Sequence, residues 1–403
     1  MKLLPLHYAA RNIGRSPLRL ALTAGGSAVV VFIVVAAMAS IRAMDRGIRA
    51  SGTPGNVMLV GAGSEESVER SEISAAIPSV LAASIRGIKS LGGAEFVSPE
   101  LHVALPLRRA LVSVAINTPV DNTNARDLVM VRGVQPAAFM VHPQARLAVG
   151  RFPDNAASEA LVARSLAERL QISNADFSAA ATLPIIMIDQ TAFTVTGIID
   201  APGVAIDGEC WIPLADLLVL TKRQTISIVV VSLDAADVGD LEMFAAQRPD
   251  LELSALDEPA YYAALSRFFR PVQILILISA LIVALGAMLG GLNALDAAFA
   301  SRSREIAMLQ VLGFSRGAVV INLIQESIIT VATGAIPALL VAAVLLDGLG
   351  VRFSMGIFSL SVDATCVAGA LIAAVLLGIF GILPPALRCL RADIPTALKS
   401  DLT

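Results

Sequence analysis

The chain has 403 residues, 56% of them apolar and 16% charged, with a formal net charge of −3. An average soluble domain is about 45–50% apolar and about 25% charged, so a disordered chain is excluded and the balance argues against a wholly soluble two-domain protein. The mean hydropathy of +0.75 points the same way, and the weakly acidic balance with 4% aromatics excludes a dedicated nucleic-acid binder.

Residues 1–19 form a basic amphipathic segment with Lys2, Arg11, Arg15 and Arg19 and no acid. Residues 20–41 then carry no charge over 22 positions. At about 1.5 Å per residue they span about 33 Å, enough for a hydrocarbon core of about 30 Å. A signal-peptide core of about 7–15 residues is shorter, so this block reads as a retained first transmembrane helix.

Residues 42–271 hold 19 Lys/Arg against 26 Asp/Glu and read as a mixed α+β domain outside the membrane. A helical period over 75–91 is expected to stop at Gly92-Gly93. Strands are expected at 111–117, 128–134 and 225–233, and helices at 159–170 and 234–247. A strand pair at 185–188 and 193–199 is expected to turn at Asp189-Gln190. Two lobes are expected, divided near Gly150. His102 and His142 have no carboxylate or cysteine at metal-ligand spacing and read as surface or satisfied core histidines. Glu65, Glu66, Glu69 and Glu72 follow Gly61-Ala62-Gly63 and read as a solvated loop in preference to a cation site. Trp211, the only tryptophan, reads as a packing residue. No hydrolase motif is present, so no catalytic, cofactor-binding or metal-binding residue is assigned. Cys210, Cys366 and Cys389 fall in different compartments, and no disulfide is expected.

Three further spans are expected at 272–295, 318–346 and 365–387, with a cytoplasmic loop at 296–317 and a cytoplasmic tail at 388–403. The fold class is thus an α-helical membrane protein with four transmembrane helices, one plus three, and a large α+β extracytoplasmic domain between helices 1 and 2. The basic clusters Arg302, Arg304, Arg316 and Arg388, Arg391, Lys399 lie on the same side as the N-terminal one, which places both termini in the cytoplasm. Gly286 and Gly290 form a Gly-x-x-x-Gly pair suited to helix packing. Pro337 is expected to kink the third helix. Glu326 lies about eight residues into that helix, where an acid costs up to roughly 2.5–3.5 kcal/mol, so it should face protein or water. In the loop, residues 303–313 are amphipathic, with Ile306, Leu309 and Leu312 at helical spacing and Gly313 as the stop. Physics alone leaves open a helix lying on the headgroups and a docking helix for a cytoplasmic partner.

Several stretches resemble one family, the FtsX/MacB-type (type VII) ABC transporter permeases. Residues 9–19 are similar to the basic approach to its first helix. Arg304-Glu305-Ile306-Ala307-Met308-Leu309-Gln310-Val311-Leu312-Gly313-Phe314 is similar to its cytoplasmic coupling loop, with Gln310 where a basic residue is usual and Phe314 where alanine is. Glu326 matches the acid of its third helix. Gly150-Arg151-Phe152, Glu159-Ala160-Leu161-Val162 and Phe193-Thr194-Val195-Thr196-Gly197-Ile198 resemble its periplasmic core domain. The resemblance implies a multi-pass permease of a bacterial inner membrane, dimeric with a second copy or a paralogue. Its partners would be a cytoplasmic ABC ATPase, membrane lipids and a periplasmic adaptor. ATPase coupling would fall to Arg304, Glu305, Met308, Leu309, Leu312 and Gly313. The chain has no Gly-x-x-x-x-Gly-Lys-Ser/Thr motif, so ATP and Mg are expected on the partner and this subunit is expected to be no enzyme. The implied function is export or extraction of a substrate. The alternative is a non-transporting regulator that activates a periplasmic enzyme by the same motion.

Overall fold

The computed structural model describes residues 17–110, 127–177, 183–300, 308–353 and 356–391. The chain divides into two compact units: Met1–Arg42 with Pro271–Leu349 and Leu360–Thr403, and Ala43–Arg270 with Gly350–Ser359.

The second unit is built on one ten-stranded sheet. Its strands are β1 (Asn56–Gly61), β2 (Val97–Arg109), β3 (Asp127–Val134), β4 (Arg146–Gly150) and β5 (Glu159–Ala163), followed by β6 (Ile185–Ile188), β7 (Thr191–Asp200), β8 (Cys210–Pro213), β9 (Ile228–Ser232) and β10 (Leu253–Asp257). They run in the order β10-β1-β9-β2-β3-β8-β5-β7-β4, with β6 on both β7 and β2. The long β2 joins the two halves. It pairs with β9 through Val97–Glu100, with β3 through Leu101–Leu107 and with β6 through Leu107–Arg109. The expected lobe boundary near Gly150 is therefore absent, because strands before and after it share one sheet. Gly150 sits instead at φ +90°, where a β-carbon would overlap the Thr196 carbonyl.

Two further expectations are corrected. Residues 159–170 are strand β5 and then a short helix, Arg164–Arg169. Ala160, Leu161, Val162 and Ala163 are all fully buried between β8 and β7, and that two-sided burial overrides the helical spacing. The helix expected over 75–91 ends at Ser84. Gly92 and Gly93, both at positive φ, turn a hairpin between Ser90–Leu91 and Ala94–Glu95, as a two-residue turn requires. The strand expected at 111–117 lies outside the described residues. The 185–199 pair forms around Asp189 at φ +53°. The helix expected at 234–247 starts at Val238, where Asp237 and Asp240 make a capping box.

Among the described residues four helices are long and apolar enough to cross a membrane: α1 (Pro17–Ala50), α2 (Arg270–Ala300), α3 (Arg316–Leu346) and α4 (Ala364–Arg391). In the first unit α1, α3 and α4 pack on small side chains, among them Ala39, Ala335, Ala338, Ala342, Ala370 and Ala374. Backbones approach most closely at glycines. A β-carbon at Gly334 would overlap Ala24 of α1, and one at Gly369 would overlap Met38. At Gly286 a β-carbon would meet nothing within 4 Å, and Gly290's side chain position lies outside the described residues. The helix α3 is continuous through Pro337. Glu326 is buried on the same face as Asn322 and Thr330. Arg42, within α1, pairs with Asp363, the residue before α4, at 2.8 Å.

Helix α1 does not end at residue 41. Its last two turns belong to the second unit, where Ala43, Met44 and Ile48 pack against Tyr262, Leu265 and Phe269 around the helix Glu258–Phe268. The hairpin Gly350–Phe353 and Gly356–Ser359, between α3 and α4, also belongs to that unit and lies against Ala205–Gly208.

Candidate functional site

The external unit contains a fully buried charge network. Glu100 and His102 are two apart on β2 and so share a face of the sheet. Arg132 on β3 stands opposite His102, and Trp211 on β8 stands opposite Arg132. Register thus aligns three strands' polar side chains. Glu209 precedes β8, His142 follows the short helix Ala138–Val141, and Glu258 opens the helix Glu258–Phe268.

Glu100 accepts from four donors: Arg132 Nη1 at 2.9 Å, His102 Nε2 at 3.1 Å, His142 Nε2 at 2.8 Å and Ser98 Oγ at 2.9 Å. A carboxylate only accepts, so both histidines carry a proton on Nε2. The 3.4 Å approach of Arg132 Nη1 to His142 Nε2 is then a contact between two donors. Arg132 Nη2 donates to Glu209 at 2.6 Å, and Trp211 Nε1 donates to the other Glu209 oxygen at 2.8 Å. The guanidinium lies 5.7 Å from the centre of the Trp211 ring. Glu258 accepts from Asn56 Nδ2 at 2.7 Å and from the Thr53 amide at 3.1 Å. His142 Nδ1 has no hydrogen bond, and Glu258 Oε1 is 3.9 Å away.

Asn56 and Thr53 follow α1, and Glu258 begins the helix that leads to α2. The network therefore ties the chain's exit from one apolar helix to its approach to another. Strands β1 and β10 reinforce this, with Val57 opposite Asp257. A β-carbon on Gly52 would stand 2.8 Å from Pro259 Cα, so the two backbones touch there.

Burial opposes the charge on Glu100, but His142, Arg132 and the histidine hydrogen bonds outweigh it and hold its pKa well below the usual range. For His142 burial is outweighed by Glu100, and its pKa rises above 6.5. For His102 burial and Arg132 prevail, and its pKa falls below 6.5. The stability that His142 contributes is present below pH 6.5 and lost as pH rises through its raised value. That of His102 is present above 6.5 and lost as pH falls through its lowered value. His142→Gln should remove the loss on the alkaline side and leave the loss on the acid side, as thermal melts of the full chain from about pH 5 to 9 would read.

Among the described residues no group of three or more His, Cys, Asp or Glu is arranged to hold a metal, and the Arg132 guanidinium sits among the acids instead. The site holds charge in fixed register, which is a structural task. Both histidines are core residues, His142 with its Nδ1 left without a hydrogen bond, and Trp211 adds a hydrogen bond to its packing role. Spacing along the chain hid the network, because hydrogen-bonded members such as Thr53 and Glu258 are 205 positions apart. The available signal was a lone charge inside an apolar strand, as in Val131-Arg132-Gly133.

The expected coupling residues separate by position. Arg304 and Glu305 lie outside the described residues. Residues 308–311 form a helical turn that ends at Gly313, at φ +91°. Leu309 packs inward with Phe314 against Val319, Leu323, Ile382 and Ala386. Met308, Val311 and Leu312 point away from that cluster, with Leu312 74% exposed.

The fold thus joins four long apolar helices to an α+β domain inserted after the first. The MacB-like periplasmic core domain matches residues 20–247, and the FtsX-like permease C-terminal domain matches residues 277–394. The chain belongs to the FtsX/MacB-type permease family. It is an ABC-transporter-type permease subunit of a bacterial membrane, from a family with a separate ATPase and a dimeric permease. The periplasmic region of MacB from Actinobacillus actinomycetemcomitans is similar at 13% identity and a TM-score of 0.37, over 54% of this chain and 95% of that one. The extracellular domain of the noncanonic ABC-type transporter YknZ from Gram-positive bacteria is similar at 12% identity and a TM-score of 0.35, over 50% and 99%. Comparison with curated proteins finds no match.

Proposed function

We propose that this permease subunit converts ATP hydrolysis by its partner into movement of the external domain, and that the movement exports or extracts a substrate on the outer side of an inner membrane. Both termini then lie in the cytoplasm. The observation that carries the reading is the turn at 308–313. Its Leu309 is anchored on α3 and α4, while Met308, Val311 and Leu312 present an uncovered apolar ridge. A docked ATPase would cover that ridge and push on the two helices that anchor it. Arg304 and Glu305 would supply the polar rim, and Gly313 the stop that fixes the ridge's direction.

Leu312→Asp tests this without disturbing the inward cluster. It should abolish co-purification of the ATPase and leave the melting temperature of the permease unchanged. Undiminished co-purification with ATPase activity still stimulated would sink the assignment. Leu309→Asp is a poorer probe, because it places a charge in the packed cluster.

A further inference from the structure

A cleft of about 720 Å³ opens in the external unit between the loop 62–72 and the helix Glu258–Phe268. Its lining includes Glu65, Glu66, Arg70, Tyr261, Arg267 and Phe268. Tyr261 and Val68 of the loop both pack against the buried cluster around Met58, Val60 and Val230. Tyr261 and Phe268 are seven apart on the helix and so share a face. Phe268 is 73% exposed at the open end. Glu65 is held in place by the Gly63 amide at 3.1 Å. Arg70 attracts the neighbouring Glu69 carboxylate, and neither Arg70 nor Arg267 makes a side-chain hydrogen bond or a salt bridge within 4 Å among the described residues.

The cleft thus offers two carboxylates, two solvent-exposed guanidiniums and an apolar lip. A ligand that fits must carry a cation with N–H donors, an anion that accepts two guanidiniums, and an apolar extension. The surroundings specify where such a ligand comes from. Phe268 lies three residues before Pro271, where the first unit resumes. Arg267, Phe268, Phe269 and Arg270 form the basic-aromatic run typical of a bilayer interface. The lip of the cleft is therefore within reach of lipid headgroups.

We infer that this cleft binds the headgroup of an aminophospholipid, with the phosphate on Arg70 and Arg267 and the primary ammonium on Glu65 and Glu66. Its acyl chains leave past Phe268. The helix carrying Arg267 is the one whose first residue, Glu258, enters the buried network, so a bound headgroup holds that helix at the membrane surface. The inference needs a bilayer at Pro271 but does not depend on ATPase docking.

The test uses the full chain in nanodiscs of phosphatidylcholine doped with a photoactivatable phosphatidylethanolamine. Crosslinks should concentrate in 62–72 and 261–268. The Arg70→Ala/Arg267→Ala variant should lower them roughly tenfold while leaving ATPase co-purification intact. Glu65→Gln/Glu66→Gln should abolish the preference for phosphatidylethanolamine over phosphatidylcholine and retain phosphatidylglycerol as a competitor. These are surface positions, and an unchanged melting temperature confirms the fold in each variant. Labelling unaffected by either double variant would overturn the site. Competition by free glycerophosphoethanolamine as strong as by short-chain phosphatidylethanolamine would overturn the lipid and point to a soluble organophosphate. Failure of the wild-type labelling would overturn this inference and leave the ATPase-docking reading untouched.

Discussion

Arg132→Met should be the most destabilising single substitution in the external domain. The guanidinium is buried between Glu100 and Glu209, at 2.9 and 2.6 Å. Removing it strands two buried carboxylates, and breaking a buried ion pair from one side costs about 3–5 kcal/mol. In a domain of this size about 1 kcal/mol moves the melting temperature by about 2–4 °C, so a fall of about 6–20 °C is expected. Trp211 is the sole tryptophan and lies beside the guanidinium, so its fluorescence reports the transition directly. Adding Glu100→Gln and Glu209→Gln should restore part of the loss, because the stranded groups are then neutral. A shift below about 2 °C would show that the network does not hold the sheet.

Gly334→Val should break the packing of α1 on α3. A side chain there overlaps the Ala24 carbonyl and the Ser27 hydroxyl. Ser27 Oγ also donates to the Val331 carbonyl at 3.2 Å, which fixes the same crossing. Side-chain overpacking alone costs about 1–3 kcal/mol, and backbone has no rotamer by which to yield. The expected result is loss of the monodisperse full chain on size exclusion. Gly286→Val, where nothing lies within 4 Å, should leave the monodisperse chain unaffected. Equal behaviour of the two variants would contradict the assigned crossing.

The four apolar helices were legible because lipid demands long uncharged runs, and the runs at 20–41 and 272–295 show this directly. Their ends were less legible. Helix α1 continues to Ala50 although Arg42, Asp45, Arg46 and Arg49 are charged, because its other face packs on Tyr262 and Leu265. Residues 159–163 looked helical and are strand, since alanine and leucine on a strand buried on both faces show no alternation. The turn at 308–313 was legible as an amphipathic period. Which of its leucines faces inward depends on the packing of α3 and α4, which no local pattern carries. The buried network was hidden for the same reason: strand register brings together residues that are remote in sequence. The acids at 65–66 read as a solvated loop, because only the fold sets Arg70 and Arg267 around the same cleft.

The central claim is that a separate ATPase moves the external domain through the helices. The most direct measurement is a spin-label distance in the full chain with its ATPase, between Val219→Cys on the external domain and Val344→Cys near the end of α3, with the native cysteines replaced. Both positions are exposed. The account predicts a distance distribution that shifts when ATP hydrolysis is trapped with vanadate and returns when nucleotide is removed, with no shift in Leu312→Asp. An identical distribution in the trapped and nucleotide-free complexes, with hydrolysis intact, would contradict it.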